Sequence, residues 1–293
     1  MSLHVDSHEC AGTGKGEPLL LIHGWGMHGG MWGSVAEKLA AHVRVLAVDL
    51  PGHGWSGMGE GGREKGDAHP APMARPSLPG GFPFPLPPSP FSLDAIVDEL
   101  SAQFSEPLTV CGWSLGGQVA LRWAARYPEQ VSRLVLVAST PCFVRQDDWP
   151  CAMAAETLAE FAAALQQNYA LTLRRFLALQ VRGSEQEREL LAALRNALFC
   201  RGEPDLAALQ GGLGILRDCD LRSALPGVRQ ATLVMAGERD TLTPPQASQY
   251  LASHMPDARL AMIGGAAHAP FLSHPDEFVM QLKRFMENKS END

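Results

Sequence analysis

Ser114 has the strongest claim to chemistry in this chain. It stands in Gly112-Trp113-Ser114-Leu115-Gly116, directly after the apolar run LTVC and before the helix-like run QVALRWAARY. A serine hydroxyl is a weak nucleophile until a base takes its proton. Gly-x-Ser-x-Gly between a strand and a helix sets such a serine on a sharp, strained turn, with its hydroxyl clear of the sheet. Glycine is required at the flanks where backbone approaches too closely for a side chain. The helix beginning at Leu115 would offer unpaired N–H groups to negative charge, so the Leu115 N–H suits the oxyanion of an attacked carbonyl.

The base expected for this serine is His268, in GGAAHAPFLSHPDEF, after the last apolar run and therefore last in the order Ser…Asp…His. His274 and His254 are the rivals. The first sits at the start of a terminal helix pattern, the second before the last strand, at the wrong end of a sheet. The carboxylate should follow the strand ATLVMAG. Asp240 is the candidate there and Glu238 the alternative. Its task would be to hold the imidazole in one tautomer and stabilise its cation. A second oxyanion donor is expected from the backbone N–H of Trp25, in His23-Gly24-Trp25-Gly26 after the run LLLIH. His23 is expected to buttress that loop, and Asp49, Gly52 and Gly54 in DLPGHGWS to be structural.

Several elements must carry these residues. PLLLIH (18–23), VRVLAVDL (43–50), LTVCGW (108–113), RLVLVAS (133–139), ATLVMAG (231–237) and ARLAMIG (258–264) read as buried strands. Helical patterns such as SLDAIVDELSAQF and GGQVALRWAARYPEQV lie between many of them. Alternation of this kind implies an α/β fold, a mostly parallel central sheet with helices on both faces. Two segments interrupt it. Residues 57–90 hold seven Gly and nine Pro in 34 positions, too little apolar surface to offset ordering entropy, and are expected as a flexible insertion. Residues 143–220 have helical stretches, AAETLAEFAAALQQNYALTLRRFLAL, SEQERELLAALRNALF and EPDLAALQGGLGILRD, and little strand character. They occupy the position of a helical cap inserted into a core made of 1–142 and 221–293.

A hydrophobic fraction of 45% is enough for a large core, and a net charge of −8 argues against a general nucleic-acid binder. No apolar run reaches ~18 residues, so no membrane span is expected. The polar N-terminus lacks the apolar middle of a signal peptide. The six cysteines show no zinc spacing. Together these predict a reduced, cytoplasmic protein. Cys111 is expected buried in the central strand, and Cys142, Cys151, Cys200 and Cys219 as small buried hydrophobes. The chemistry calls for no metal and no organic cofactor, and a monomer is expected.

HGWG, DLPGHGWS, GWSLGG, GERD and AAHAP fall in the order seen in the α/β-hydrolase superfamily, which the chain resembles over its length apart from 57–90. LLIHGWGMHGGMW, CGWSLGGQVA, ASTPCFVRQDDWP, RRFLALQVRGSE, GGLGILRDCDLR and AAHAPFLSHPDEF resemble, more narrowly, the biotin-pathway carboxylesterases. Those enzymes cleave the methyl ester of pimeloyl-acyl-carrier protein. The resemblance implies a site lined by Trp25, Ser114, Leu115, Phe176, Leu177, Ala178, Leu179, Gln180 and His268. It also implies basic cap residues facing an acidic acyl-carrier protein that bears the methyl pimeloyl chain. Haloalkane dehalogenases and epoxide hydrolases use aspartate where Ser114 stands.

The residues themselves support the carrier at one place. The segment 174–201 has Arg174, Arg175, Arg182, Arg188, Arg195 and Arg201 against Glu185, Glu187 and Glu189, net +3 in an acidic chain. Arg175, Arg188 and Arg195 are the docking candidates, the last two seven apart and so on one face of a helix. The competing reading is a solvated helix surface with Glu–Arg pairs. Phe176, Leu177 and Leu179 are equally readable as cap core. Rival functions remain at this point: a broad short-chain carboxylesterase without carrier preference, a carbon–carbon bond hydrolase or thioesterase on the same scaffold, and a ligand-binding receptor that keeps the fold.

Overall fold

The computed structural model describes residues 3–9, 17–56 and 91–287; the Gly/Pro-rich stretch 57–90 and the tail from 288 lie outside the described residues. Among the described residues seven strands form one sheet: β1 (Val5–His8), β2 (Leu19–Ile22), β3 (Val45–Val48), β4 (Leu108–Trp113), β5 (Val131–Val137), β6 (Ala231–Gly237) and β7 (Ala258–Ile263). Their order is β1-β3-β2-β4-β5-β6-β7. Only β1 runs antiparallel, against β3. Every residue of β2, β3 and β4 is buried, which is why these strands read as continuous apolar runs instead of alternating ones. The edge strand β7 is half-exposed.

The helices of the sheet layers are α1 (Gly33–Ala40), α2 (Leu93–Gln103), α3 (Leu115–Arg126), α8 (Pro245–His254), α9 (Pro270–Ser273) and α10 (Pro275–Glu287). α1 packs with α10, and α2 with α3. Between β5 and β6 the chain makes four further helices, α4 (Ala155–Gln167), α5 (Tyr169–Val181), α6 (Glu187–Ala197) and α7 (Leu206–Asp218). Their apolar faces, among them Leu165, Leu173, Phe176, Leu177, Leu194, Leu209 and Leu213, join the same buried cluster as the sheet. These inserted helices therefore hold their shape by lying on the sheet domain.

Two local features differ from the sequence expectation. The polar β1 is a four-residue strand that its sequence, VDSH, does not announce. The long helical stretch 154–179 is broken at Asn168, which ends α4 and caps α5 by accepting the Leu171 N–H at 3.0 Å. A short polar side chain competes with the helix for backbone groups and so favours a helix start over a helix interior.

Three buried histidines tie the loops that follow β2 and β3. His23 accepts the Leu50 N–H at Nε2 (2.9 Å) and donates from Nδ1 to Gly24 O (2.8 Å). His28 donates from Nε2 to Ala197 O (2.8 Å), and His53 from Nδ1 to Pro51 O (3.0 Å). Burial pushes all three below the ordinary imidazole range, His23 furthest. A histidine that resists its proton when folded contributes stability above the unfolded-state value and loses it as pH falls through that value. The urea midpoint should therefore drop between about pH 7.5 and about pH 5.5, across the unfolded histidine pKa. A midpoint that stays flat or rises on acidification would contradict neutral burial of these rings.

Candidate active site

β4 ends at Trp113 and α3 begins at Leu115, so Ser114 alone makes the turn from strand to helix. Its φ is 55° and its ψ −117°. A non-glycine residue held there costs about 1–3 kcal/mol. Backbone hydrogen bonds hold it: Ser114 N–H donates to Val137 O (2.9 Å), and Ser114 O accepts from Gly117 N–H (2.9 Å), Ser139 Oγ (2.9 Å) and, at longer range, Gln118 N–H (3.4 Å). The flanking glycines are steric necessities. A Cβ on Gly112 would stand 2.1 Å from Gly116 O, and one on Gly116 would stand 2.5 Å from the carbonyl oxygens of Ile22 and His23.

The structure brings the three expected side chains into one row. Ser114 Oγ lies 2.9 Å from His268 Nε2, and His268 Nδ1 lies 2.8 Å from Asp240 Oδ2. His268 and Asp240 are almost fully buried. Asp240 turns off the end of β6, where its Oδ1 accepts the N–H groups of Leu242 (2.8 Å) and Thr243 (3.0 Å). Thr243 Oγ1 donates to Asp240 Oδ2 at 2.8 Å. With its lone pairs so engaged, the carboxylate has one orientation left, toward the imidazole. The His268 backbone is fastened on both sides: Trp113 Nε1 donates to its carbonyl (2.8 Å), and its N–H donates to Gln180 O at the end of α5 (3.1 Å). A hydroxyl, an imidazole and a carboxylate in this arrangement can pass the serine proton to the ring while the acid balances the resulting charge. The rivals lie elsewhere. Glu238 accepts from Gly265 N–H, His274 meets Ser273, and His254 stacks on Tyr250.

The loop after β2 passes directly over the serine. A Cβ on Gly24 would lie 3.3 Å from Ser114 Cβ. The N–H groups of Trp25 and Leu115 donate to no protein acceptor among the described residues. The Trp25 side chain turns the other way, into the inserted helices. Its Nε1 donates to Leu209 O (2.8 Å), and its ring meets Phe176 at 5.0 Å and Phe161 at 5.5 Å, both edge to face. Of the five residues from Phe176 to Gln180, Phe176 touches Trp25 and Gln180 touches His268. Leu177 is wholly buried in the apolar core, while Ala178 and Leu179 are half-buried at its margin. The Gln180 side chain is buried, and its Oε1 has no hydrogen-bond partner among the described residues.

Arg175, Arg188 and Arg195 are exposed, as are Arg174 and Arg182, and none forms an ion pair among the described residues. Arg201 does not belong to that face. Its side chain is nearly buried between Asp6 and Asp49, with Nη1 3.2 Å from Asp49 Oδ1 and the guanidinium 4.5 Å over the Trp55 ring. Its charge is spent within the molecule, fastening the end of α6 to the loop after β3. Cysteine placement also departs from expectation: Cys111 and Cys142 are buried as expected, but Cys151 and Cys219 are only half-buried and Cys200 is exposed. Thr243, Ser139 and Trp113 are support residues that sequence reasoning did not single out. Among the described residues no group of His, Cys, Asp and Glu is arranged to hold a metal, and no helix is long and apolar enough to cross a membrane.

The sequence model of the Alpha/beta hydrolase family matches residues 19–281. A pimeloyl-[acyl-carrier protein] methyl ester esterase of Nitrosomonas europaea is 42% identical over 278 residues, 95% of this chain and 97% of that one. Its counterpart of the same name in Chromobacterium violaceum is 40% identical over 290 residues, 99% and 100% of the two chains. Among solved structures, an esterase from Exiguobacterium antarcticum superposes with a TM-score of 0.78 at 21% identity, covering 98% of this chain and 96% of that one. The enol-lactonase of Burkholderia xenovorans superposes with a TM-score of 0.75 at 20% identity and the same coverage, 98% and 96%. At such identities the likeness speaks for the fold alone. The chain belongs to the alpha/beta hydrolase family and, within it, to the family of the pimeloyl-[acyl-carrier protein] methyl ester esterases.

Proposed function

We propose that this chain is a serine carboxylesterase that hydrolyses the terminal methyl ester of pimeloyl-[acyl-carrier protein], yielding pimeloyl-[acyl-carrier protein] and methanol in biotin biosynthesis. The observation that carries the reading is the Ser114–His268–Asp240 row, at 2.9 and 2.8 Å, in a chain 42% identical to a relative of that name. Ser114 Oγ attacks the ester carbonyl as His268 Nε2 takes its proton. Asp240 holds the ring in the Nδ1–H tautomer and stabilises the imidazolium. The Trp25 and Leu115 N–H groups receive the oxyanion; that neither has an acceptor among the described residues supports this role. His268 returns the proton to the methoxide oxygen and methanol leaves. Water, deprotonated by the same ring, then attacks the acyl-enzyme and frees the carboxylate.

The substrate site in this reading is lined by Trp25, Leu115, the stretch Phe176–Gln180 and His268. The exposed Arg175, Arg188 and Arg195, which pair with no carboxylate among the described residues, form a positive face for the acidic carrier. Cap helices α4 to α7 and the sheet domain act as two parts of one enzyme, with the substrate between them. The enzyme works in the cytoplasm as a monomer, and the unpaired described cysteines fit a reducing compartment.

Ser114→Ala should lower kcat/KM on a short p-nitrophenyl ester by about 10⁴-fold or more, with an unchanged unfolding midpoint. Retained turnover in that variant would remove Ser114 from the role. Asp240→Asn should cost kcat by about the same order, because the amide favours the wrong tautomer; a loss confined to KM would argue against the carboxylate's task. Arg175→Glu combined with Arg188→Glu should raise KM for the carrier-bound methyl ester by about tenfold, steeply so at low salt, and leave the short ester unaffected. Equal effects on both substrates would favour a broad short-chain carboxylesterase without carrier preference.

A further inference from the structure

Helix α7 contains three glycines near its middle, Gly211, Gly212 and Gly214. Each weakens a helix interior by about 1 kcal/mol relative to alanine. The three stand in different surroundings. At Gly214 an added Cβ would meet nothing within 4 Å, and the residue faces an open cavity of about 460 Å³. At Gly211 it would lie 2.3 Å from Phe91 Cβ. At Gly212 it would lie 2.6 Å from Trp25 Cδ1, 3.0 Å from Trp25 Nε1 and 3.4 Å from Leu115 Cδ2. The space a side chain at Gly212 would need is thus taken by the side chains of Trp25 and Leu115, the two residues whose N–H groups find no acceptor among the described residues.

The Trp25 indole has little room to yield. It hydrogen-bonds Leu209 O, one turn earlier on the same helix, so it lies lengthwise across Gly212. Phe176 and Phe161 meet it edge to face. The following residue is confined as well: Gly26 has φ +69°, and a Cβ there would stand 2.7 Å from Leu173 Cδ2. A shift of the indole must therefore be taken up by the Gly24–Gly26 backbone, which lies against Ser114. We propose that Gly212 is a positioning residue for the ester hydrolysis. Its missing side chain seats the Trp25 indole on α7 and thereby sets the Trp25 and Leu115 N–H groups at the distance an oxyanion needs. The inference rests on the reading of those two N–H groups as oxyanion donors.

The test is a set of single alanine variants along α7 in the full chain. It reads kcat and KM on a short p-nitrophenyl ester, the Ki of an alkyl trifluoromethyl ketone, and the thermal midpoint. A trifluoromethyl ketone forms a tetrahedral adduct with the serine and so reports the oxyanion site directly. Gly214→Ala should keep wild-type turnover with a raised midpoint. Gly211→Ala should lower the midpoint and keep kcat. Gly212→Ala should lower kcat by about tenfold or more, raise the ketone Ki by a similar factor, and change KM by less than about twofold. A Gly212→Ala enzyme with wild-type kcat and Ki overturns the inference, as does a Gly211→Ala enzyme that loses as much kcat as Gly212→Ala. Should Gly212→Ala fail to fold, the pair Trp25→Phe/Gly212→Ala, in which the smaller ring frees the space, carries the test. Turnover equal to that of Trp25→Phe alone supports the inference, and turnover about tenfold lower in a folded double variant overturns it. Failure of the underlying serine-esterase reading has a separate signature: wild type would bind the ketone no more tightly than Ser114→Ala, which can form no adduct, whereas tight wild-type binding left unchanged in Gly212→Ala overturns the inference alone.

Discussion

The backbone crossing at Gly112 and Gly116 is the constraint on which this molecule turns. There the end of β4, the start of α3 and the end of β2 lie so close that no Cβ fits. That contact sets Ser114 at a positive φ, alone between strand and helix, and directs its hydroxyl out of the packed sheet. The strain is local and small against the burial around it, because β2 and β4 are wholly enclosed. The hydrogen bonds to Val137, Gly117 and Ser139 keep the turn from relaxing. Any side chain at either glycine would separate the three elements and carry the hydroxyl away from His268.

The remaining groups come to that fixed hydroxyl through backbone contacts at least as much as through side chains. His268 is held from one side by the Trp113 indole and from the other by a carbonyl of α5. Asp240 is oriented by two N–H groups and a threonine hydroxyl. The inserted helices are therefore part of the machinery's frame. They touch it at Gln180, which binds the His268 N–H, at Leu209 and Gly212, which seat Trp25, and at Arg201, which is clasped by Asp6 and Asp49. The apolar faces between these points belong to a single core. The buried Arg201 pairing is strong in geometry but expensive in desolvation, so its contribution lies more in register than in net stability.

Much of this was legible in the residues. Six of the seven strands announced themselves because enclosed strands must be apolar throughout, and the order of Ser114, Asp240 and His268 along the chain followed the order of strands that deliver them. What escaped has common physical causes. β1 is a short, half-exposed edge strand, and its polar residues carry no hydrophobic signal. The break at Asn168 depends on a cap whose side chain looks like any polar residue in a helical run. Carbonyl partners such as Gln180 O and His268 O leave no mark on sequence, since every residue has one. Arg201 read as one more positive charge on a basic stretch; only its distance to Asp6 and Asp49, nearly two hundred and some hundred and fifty residues earlier, reveals an inward role. The glycines of α7 were visible as a motif, but their purpose is a matter of which face each one turns to Trp25 or to Phe91.

The central claim is that one serine is activated by the imidazole and carboxylate drawn up beside it. Covalent labelling with a fluorophosphonate, followed by peptide mass mapping, tests it most directly, since only an activated hydroxyl is phosphonylated at neutral pH. The account predicts a single modified site at Ser114, with labelling lost when His268 is replaced by alanine. Modification at another residue, or labelling of Ser114 that persists without His268, would contradict it.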